Sequence, residues 1–377
     1  MHVLLFGNCI TAACSARRDN ARYDAPAGRK KVLLLAQYMA ALGHTVEIVS
    51  PSYAKKRDDE WREEIRPGLT VRHAPTFAVA GVAPRRQQRA ADYFCKMVQA
   101  HAGRPDVLVV SYNYHEEYAA ALLAAHAAGM KTLLELEDGL YLDDEWKSPA
   151  RRALERSAYA SASGCLVVNA GLAERVREVL GKAVPHLVVP GLPDLCQLGE
   201  PCEDEQPGDR RLLFAGNFGR EQGFGQLRQW IEHLPDEMEL DLTGSAGPEE
   251  VQELQQLISR RHNIRYHGFV TEGKLAELRE AADACLLLHN PASPYHRTQF
   301  PSKFFDYLSA NKRVVSAADA RLELFRGLPH LFIVENFPAG LTALRERLQK
   351  TRPPSPDAIL QLGESLRRNL GEFMKTI

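Results

Sequence analysis

The sequence lacks most of the signatures that assign a chemistry on sight. No apolar run approaches the roughly 20 residues that a membrane-spanning helix needs. Charge of one sign does not dominate: 47 Lys and Arg stand against 48 Asp and Glu, a formal net charge of −1. With no stripe of interleaved aromatic and basic residues either, a nucleic-acid partner is not expected. Cysteine is sparse, seven residues with no C-x-x-C. An odd, unclustered set reads as free thiols in a reducing compartment, and so as a cytoplasmic protein. The opening MHVLLFGNCITAAC ends in a small-small-Cys pattern. It has no basic stretch and only VLLF as an apolar core, so it reads as a first strand and not as a lipoprotein signal.

Several catalytic signatures are missing as well. No G-x-G-x-x-G follows the first strand, which argues against a nicotinamide dehydrogenase, and no G-x-x-x-x-G-K-[ST] marks a P-loop. No G-x-S-x-G supplies a hydrolase nucleophile. HEEY at 115–118 begins like a zinc-protease motif but has no second His. No two aspartates stand at i and i+2, so an Asp-x-Asp metal clamp for a sugar nucleotide is absent, and no metal or cofactor is expected.

What remains is a chain of 377 residues, 45% hydrophobic and 25% charged, with material for about two domains. Short apolar runs alternate with helical patterns: VLLF (3–6), VEIVS (46–50), VLVVS (107–111), TLLELE (132–137), CLVV (165–168) and LVVP (187–190). Continuous apolar runs mark strands buried on both faces, and strand–helix alternation marks a parallel sheet. Residues 195–209, acidic and rich in Pro and Gly, read as a linker. The alternation then restarts with RLLFAG, LDLTG, IRYHGF, ACLLL, RVVS and LFIVE. The expected organisation is α/β, with a domain over 1–194, a linker over 195–209 and a second domain over 210–356. The last helix, about 357–377, would pack back on the first domain. Two doubly wound domains facing across a cleft would bind ligands beyond the carboxyl ends of their strands.

The stretch FPSKFFDYLSANKRVV (300–315) reads as a helix with Pro301 at its first position and Asn311 at a left-handed stop. Phe304, Phe305 and Leu308 would anchor it. Ser302, Lys303 and Asp306 would share the other side, at an end where free N–H groups favour a phosphate. The alternative is a capped surface helix.

Several segments, in order, resemble the GT-B glycosyltransferases of family 4. They are PAGRKKVLLLAQYMAALGHTVEIVS (26–50), KTLLELEDG (131–139), ASGCLVVNAGLAERVREVLG (162–181), VVPGLPD (188–194), LLFAGNFGREQGFGQL (212–227), LTGSAGPEE (242–250) and FPSKFFDYLSANKRVVS. The resemblance implies two Rossmann-like domains, an N-terminal one for the acceptor and a C-terminal one for a nucleotide-sugar donor. It further implies retaining, metal-independent sugar transfer.

Carried over residue by residue, the resemblance puts Gly28 and Arg29 in a glycine loop against the donor phosphate. It places Gly216, Asn217, Arg220, Gly244, Ser245, Pro301, Ser302, Lys303 and Asp306 at the donor. Asp306 would accept ribose hydroxyls, and Lys303 would meet the charge developing on the diphosphate. Glu137 and Asp138 close a buried strand and are the catalytic candidates together with Lys303, unless they only cap the turn at Gly139. Tyr112, Asn113 and His115 are acceptor-side candidates, with packing as the alternative. His289 and Asn290 follow a strand in the same manner.

Two departures stand out. The family's donor-facing Glu is replaced by Thr298, with His296 and Arg297 nearby. The family's Arg and Lys on the diphosphate fall on Asn217 and Gln222, leaving Arg220 and Lys303 as substitutes. The expected acceptor is a saccharide or a lipid-linked sugar. Basic clusters at 17–22 and 84–89 could dock the protein on an anionic membrane face. A non-hydrolysing sugar-nucleotide epimerase and a non-catalytic partner of the same fold are the rival readings.

Overall fold

A computed structural model describes residues 1–18, 26–51, 58–76, 83–137, 139, 148–199, 211–293, 295–351 and 355–377. The chain divides into two compact units. One is Met1–Leu192 with Arg297–Gln299 and Glu364–Ile377; the other is Pro193–His296 with Phe300–Gly363.

The first unit is built on β1 (His2–Phe6), β2 (Thr45–Ser50), β3 (Trp61–Arg66), β4 (Leu69–His73), β5 (Val107–Tyr112), β6 (Lys131–Leu136), β7 (Gly164–Val167) and β8 (His186–Val188). They form an eight-stranded sheet in the order β3-β4-β2-β1-β5-β6-β7-β8. The order reverses at β1, which pairs in parallel with β2 on one side and β5 on the other. The outer pair β3–β4 is antiparallel. It was not expected from the sequence, because WREEIR is an edge strand whose residues alternate in exposure, whereas continuous apolar runs find only strands buried on both faces. Gly68, at φ +80°, turns the chain between the two strands.

Local signals place the helices of this unit. Asn169 caps the helix Ala170–Leu180 through its Oδ1, which accepts from Leu172 N at 2.9 Å, and Gly181 at φ +66° ends it. At Gly171 a Cβ would stand 2.2 Å from the Arg297 carbonyl oxygen, so only glycine lets residues 297–299 lie against this helix. The last helix, Asp357–Thr376, joins the first unit over its carboxyl-terminal part, where Phe373 and Ile377 cover Gly164 and Gly371 backs onto Leu42.

The second unit carries β9 (Arg211–Asn217), β10 (Glu239–Ser245), β11 (Ile264–Tyr266), β12 (Ala284–Leu287), β13 (Arg313–Ala317) and β14 (Leu331–Val334). All neighbours are parallel, in the order β11-β10-β9-β12-β13-β14. Its core gathers Phe218, Leu227 and Trp230 against Leu242, Leu286 and Val315. The order reverses at β9. There β9 pairs with β10 from Arg211 to Asn217, but with β12 only at Leu212 and Leu213. The two strands therefore part company halfway, and the opening lies at the switch point where doubly wound sheets bind ligands.

Candidate functional site

In the first unit, the carboxyl ends of β5 and β6 bring Tyr112 and Glu137 together. Tyr112 donates its hydroxyl to Glu137 Oε2 at 2.7 Å. The other oxygen, Oε1, lies 2.6 Å from Lys31 Nζ, which comes from the helix Pro26–Ala41. The Glu137 side chain is 10% exposed and that of Lys31 25%. Both carboxylate oxygens are thus engaged, in a small cavity of about 30 Å³ shared with Leu34, Leu166 and Val189. Burying a carboxylate is costly unless it is paired and hydrogen-bonded, and here it is both.

The other residues expected in this unit are placed differently. Asp138 lies outside the described residues. Asn113 is buried at φ +53° and forms a turn: its Oδ1 accepts from Tyr114 N at 2.9 Å, and its carbonyl accepts from Ser111 Oγ at 3.0 Å. His115 precedes the helix Glu116–Ala127, with its ring edge-on to Tyr118 at 5.2 Å. Gly28 is not in a loop. It sits in the first turn of the helix that Pro26 opens, where a helical backbone needs no glycine. Arg29, beside it, donates to the Ile10 carbonyl at 3.2 Å. Lys31, absent from the expected set, is the basic residue that reaches the carboxylate.

In the second unit, Gly216 and Asn217 end β9 alongside Gly244 and Ser245 at the end of β10. Gly244 adopts φ +133°, and a Cβ there would stand 1.7 Å from the Gly216 carbonyl oxygen, so no other residue fits. Asn217 Oδ1 accepts from Gly219 N at 3.0 Å and so holds the following turn. Arg220, 66% exposed, extends toward Glu250 (3.5 Å) and Glu253 (3.9 Å). Beside this turn, Arg220, Phe224, Gln226, His289 and Asn290 help to line a cavity of about 490 Å³.

The helix that follows Pro301 begins later than its sequence suggests. It spans Lys303–Ser309, and Ser302 precedes it without a side-chain capping bond. Pro301 is therefore outside the helix; its carbonyl accepts from Phe304 N at 2.9 Å, which tightens the entry. Lys303 Nζ is 3.3 Å from Asp306 Oδ2, and the two side chains are 45% and 29% exposed. Phe304, Phe305 and Leu308 are buried, and Asn311 at φ +53° ends the helix.

Tyr307, also buried, places this helix on the sheet. Its hydroxyl lies 3.4 Å from both the N and O of Ala215, where β9 has parted from β12. A backbone edge that lost its strand partner is met by this phenol, as a buried peptide group requires. Burial raises the Tyr307 pKa well above the ordinary phenol value, so it stays a neutral donor.

A third cluster was only partly anticipated. His289 and His296, their rings 5.4 Å apart, both face Asp319. Burial pushes the His289 imidazole down to about 4, although Asp319 opposes the shift. Burial alone would raise the Asp319 carboxyl, but Arg321 outweighs it and holds the group below the usual range. Thr298 and Arg297 belong to the first unit, where Arg297 pairs with Glu174 at 2.7 Å.

Two mainly parallel sheets that each reverse at a central strand, with polar groups gathered at the carboxyl ends, have the GT-B fold. Residues 28–191 match the family model of the glycosyl transferase 4-like domain. D-inositol 3-phosphate glycosyltransferase from Xylanimonas cellulosilytica is 26% identical over 317 residues, covering 76% of this chain and 74% of that protein. Among solved structures, HepE from Anabaena in complex with UDP and glucose superposes with a TM-score of 0.58 at 15% identity, covering 100% of both chains. A trehalose-phosphate synthase from Burkholderia xenovorans with glucose-6-phosphate gives a TM-score of 0.59 at 12% identity, covering 100% of this chain and 98% of that one. The protein is a glycosyltransferase enzyme of GT-B fold resembling family 4.

Proposed function

We propose that the protein transfers a sugar from a nucleotide diphosphate sugar, bound by the second unit, to a hydroxyl of a saccharide or lipid-linked sugar. The transfer retains configuration and uses no metal in the chemical step. One observation carries the donor reading. The helix bearing Lys303 and Asp306 is tied through Tyr307 to Ala215, next to Gly216 and Asn217 at the switch point. Lys303 would turn from Asp306 to the diphosphate and stabilise the charge that develops as the nucleotide leaves. Asp306 would then be released to accept the ribose hydroxyls, with Ser302 beside it. Arg220 is shared between two glutamates and Lys303 faces one aspartate, so Lys303 is assigned the larger share of the diphosphate.

Glu137 has both oxygens occupied, and the cavity beside it is small, about 30 Å³. It is read as an electrostatic and positioning group, and not as the acceptor's proton-accepting base. On thiol usage the protein is placed in the cytoplasm. Arg18 is buried, and both Arg17 and Arg18 are bound to Asp58, so among the described residues of the two clusters peripheral membrane contact is assigned to exposed Arg85 and Arg89.

The test is a melting-temperature screen against a panel of nucleotide sugars, because a ligand of the native state alone raises the transition. A stabilising nucleotide sugar whose effect is lost in Lys303→Ala and Asp306→Asn supports the reading. A nucleotide sugar that stabilises both variants as well as the parent protein rules this donor site out.

A further inference from the structure

His289 follows β12 and Asp319 follows β13, with His296 on the loop that leads away from His289. The Asp319 side chain is fully buried, and that of His289 is 6% exposed. His289 Nδ1 lies 3.5 Å from Asp319 Oδ2, and His296 Nε2 lies 3.6 Å from Oδ1. One ligand atom from each of the three residues falls within 4.8 Å of the others. Both nitrogens are buried, and neither makes a hydrogen bond.

Those distances are informative. An imidazole that merely donates to a carboxylate closes to about 2.7–3.2 Å. Two ligands that share a zinc ion at about 2.0–2.2 Å in tetrahedral geometry stand roughly 3.3–3.5 Å apart. The observed gaps, one to each oxygen of the Asp319 carboxylate, are longer than a hydrogen bond and close to the separation of ligands around one ion. The backbone of His289 is fixed as well: its N–H donates to Gln226 Oε1 at 3.1 Å, and Gly223 packs against it with no room for a side chain.

Arg321 is the charge that opposes a cation here. Its guanidinium donates to both oxygens of Asp319, at 2.7–3.1 Å. The Arg321 backbone N–H adds a bond to Oδ1 at 2.9 Å, so three donors orient the carboxylate and about one of its four lone-pair sites is left for an ion.

We propose that His289, His296 and Asp319 bind one divalent transition-metal ion of the zinc class, leaving a fourth position for water or an anion. Two imidazoles and one carboxylate suit such an ion, whereas magnesium and calcium prefer oxygen ligands throughout. The proposal stands apart from the donor reading, because its readouts are metal content and spectrum, not transfer.

The experiment strips the full-length protein with a chelator, dialyses it against Zn²⁺ and measures bound metal. It repeats this for His289→Ala and His296→Ala, and records the visible spectrum after Co²⁺ replaces Zn²⁺. The expected result is one Zn²⁺ per chain, unaffected by excess Mg²⁺, and a tetrahedral Co²⁺ spectrum. Affinity should fall about tenfold or more in each variant. His296, on the loop and partly exposed, is the variant least needed for folding; together with the Co²⁺ spectrum it decides the matter if His289→Ala fails to fold. No stoichiometric zinc, or full retention of zinc by His296→Ala, overturns the proposal.

Discussion

The two candidate sites for sugar transfer handle charge in opposite ways. In the first, Glu137 is buried and saturated, with Lys31 on one oxygen and Tyr112 on the other. In the second, Lys303 is half-buried and Arg220 exposed, and both are held by looser contacts, at 3.3 Å to Asp306 and 3.5 Å to Glu250. A buried pair is expensive to break, because the survivor keeps its desolvation cost without its partner. An exposed pair contributes little and opens at little cost, which suits the proposed exchange of an internal carboxylate for a ligand.

The sharpest way to break this comparison is to remove Lys31. Lys31→Met should cost about 3–5 kcal/mol in chemical denaturation, with most of it recovered in a Lys31→Met, Glu137→Gln double variant. A loss under about 1 kcal/mol would mean that the first unit holds its charge as loosely as the second.

Next in size is a pH effect in the second unit. Burial pushes His330 down to about 4, and its Nε2 contacts Asn311 Oδ1 at 2.9 Å, at the end of the Lys303 helix. The folded pKa lies below the unfolded one, so the unfolded chain takes up the proton first. Stability is then full above pH 6.5 and falls as pH drops toward 4, by up to about 3 kcal/mol. In denaturation curves recorded across that range, His330→Gln should show a flatter pH dependence than the parent.

Lys303→Ala should leave the unfolding free energy within about 1 kcal/mol of the parent, because the pair it breaks is partly exposed to water. It should still lower nucleotide-sugar affinity by about tenfold, the equivalent of 1.4 kcal/mol. Calorimetry on the same samples separates the two effects. Arg220→Ala is expected to be the mildest: it is 66% exposed and shared between two glutamates, so both stability and donor affinity should shift by less than about threefold in equilibrium terms. If its affinity loss exceeds that of Lys303→Ala, the order of the two cations is reversed.

Much of the architecture could be read from local patterns. β1, β5 and β13 are continuous apolar runs because both of their faces are buried, and they sit where those runs predict. Asn311 ends its helix in the left-handed conformation its side chain tolerates. β3 and β4 were not legible as continuous apolar runs, because the residues of this hairpin alternate in burial and many carry charge. Gly28 resembled a loop glycine by its neighbours, yet Pro26 starts the helix ahead of it.

The candidate sites were less legible than the fold. Glu137 at a strand end was visible, but its partners were not: Lys31 lies on a helix far away in sequence, in a run of basic residues any of which could have served. The same holds for Asp319, which nothing adjacent marks as the meeting point of two histidines. Sequence by itself determined which segments become strands and helices and which faces they bury, because periodicity is a property of neighbours along the chain. Tertiary structure decided which charges are paired and buried and which stay open. Ion-pair partners and ligand sets come from separate elements, and they meet only once each sheet has aligned the ends of its own strands.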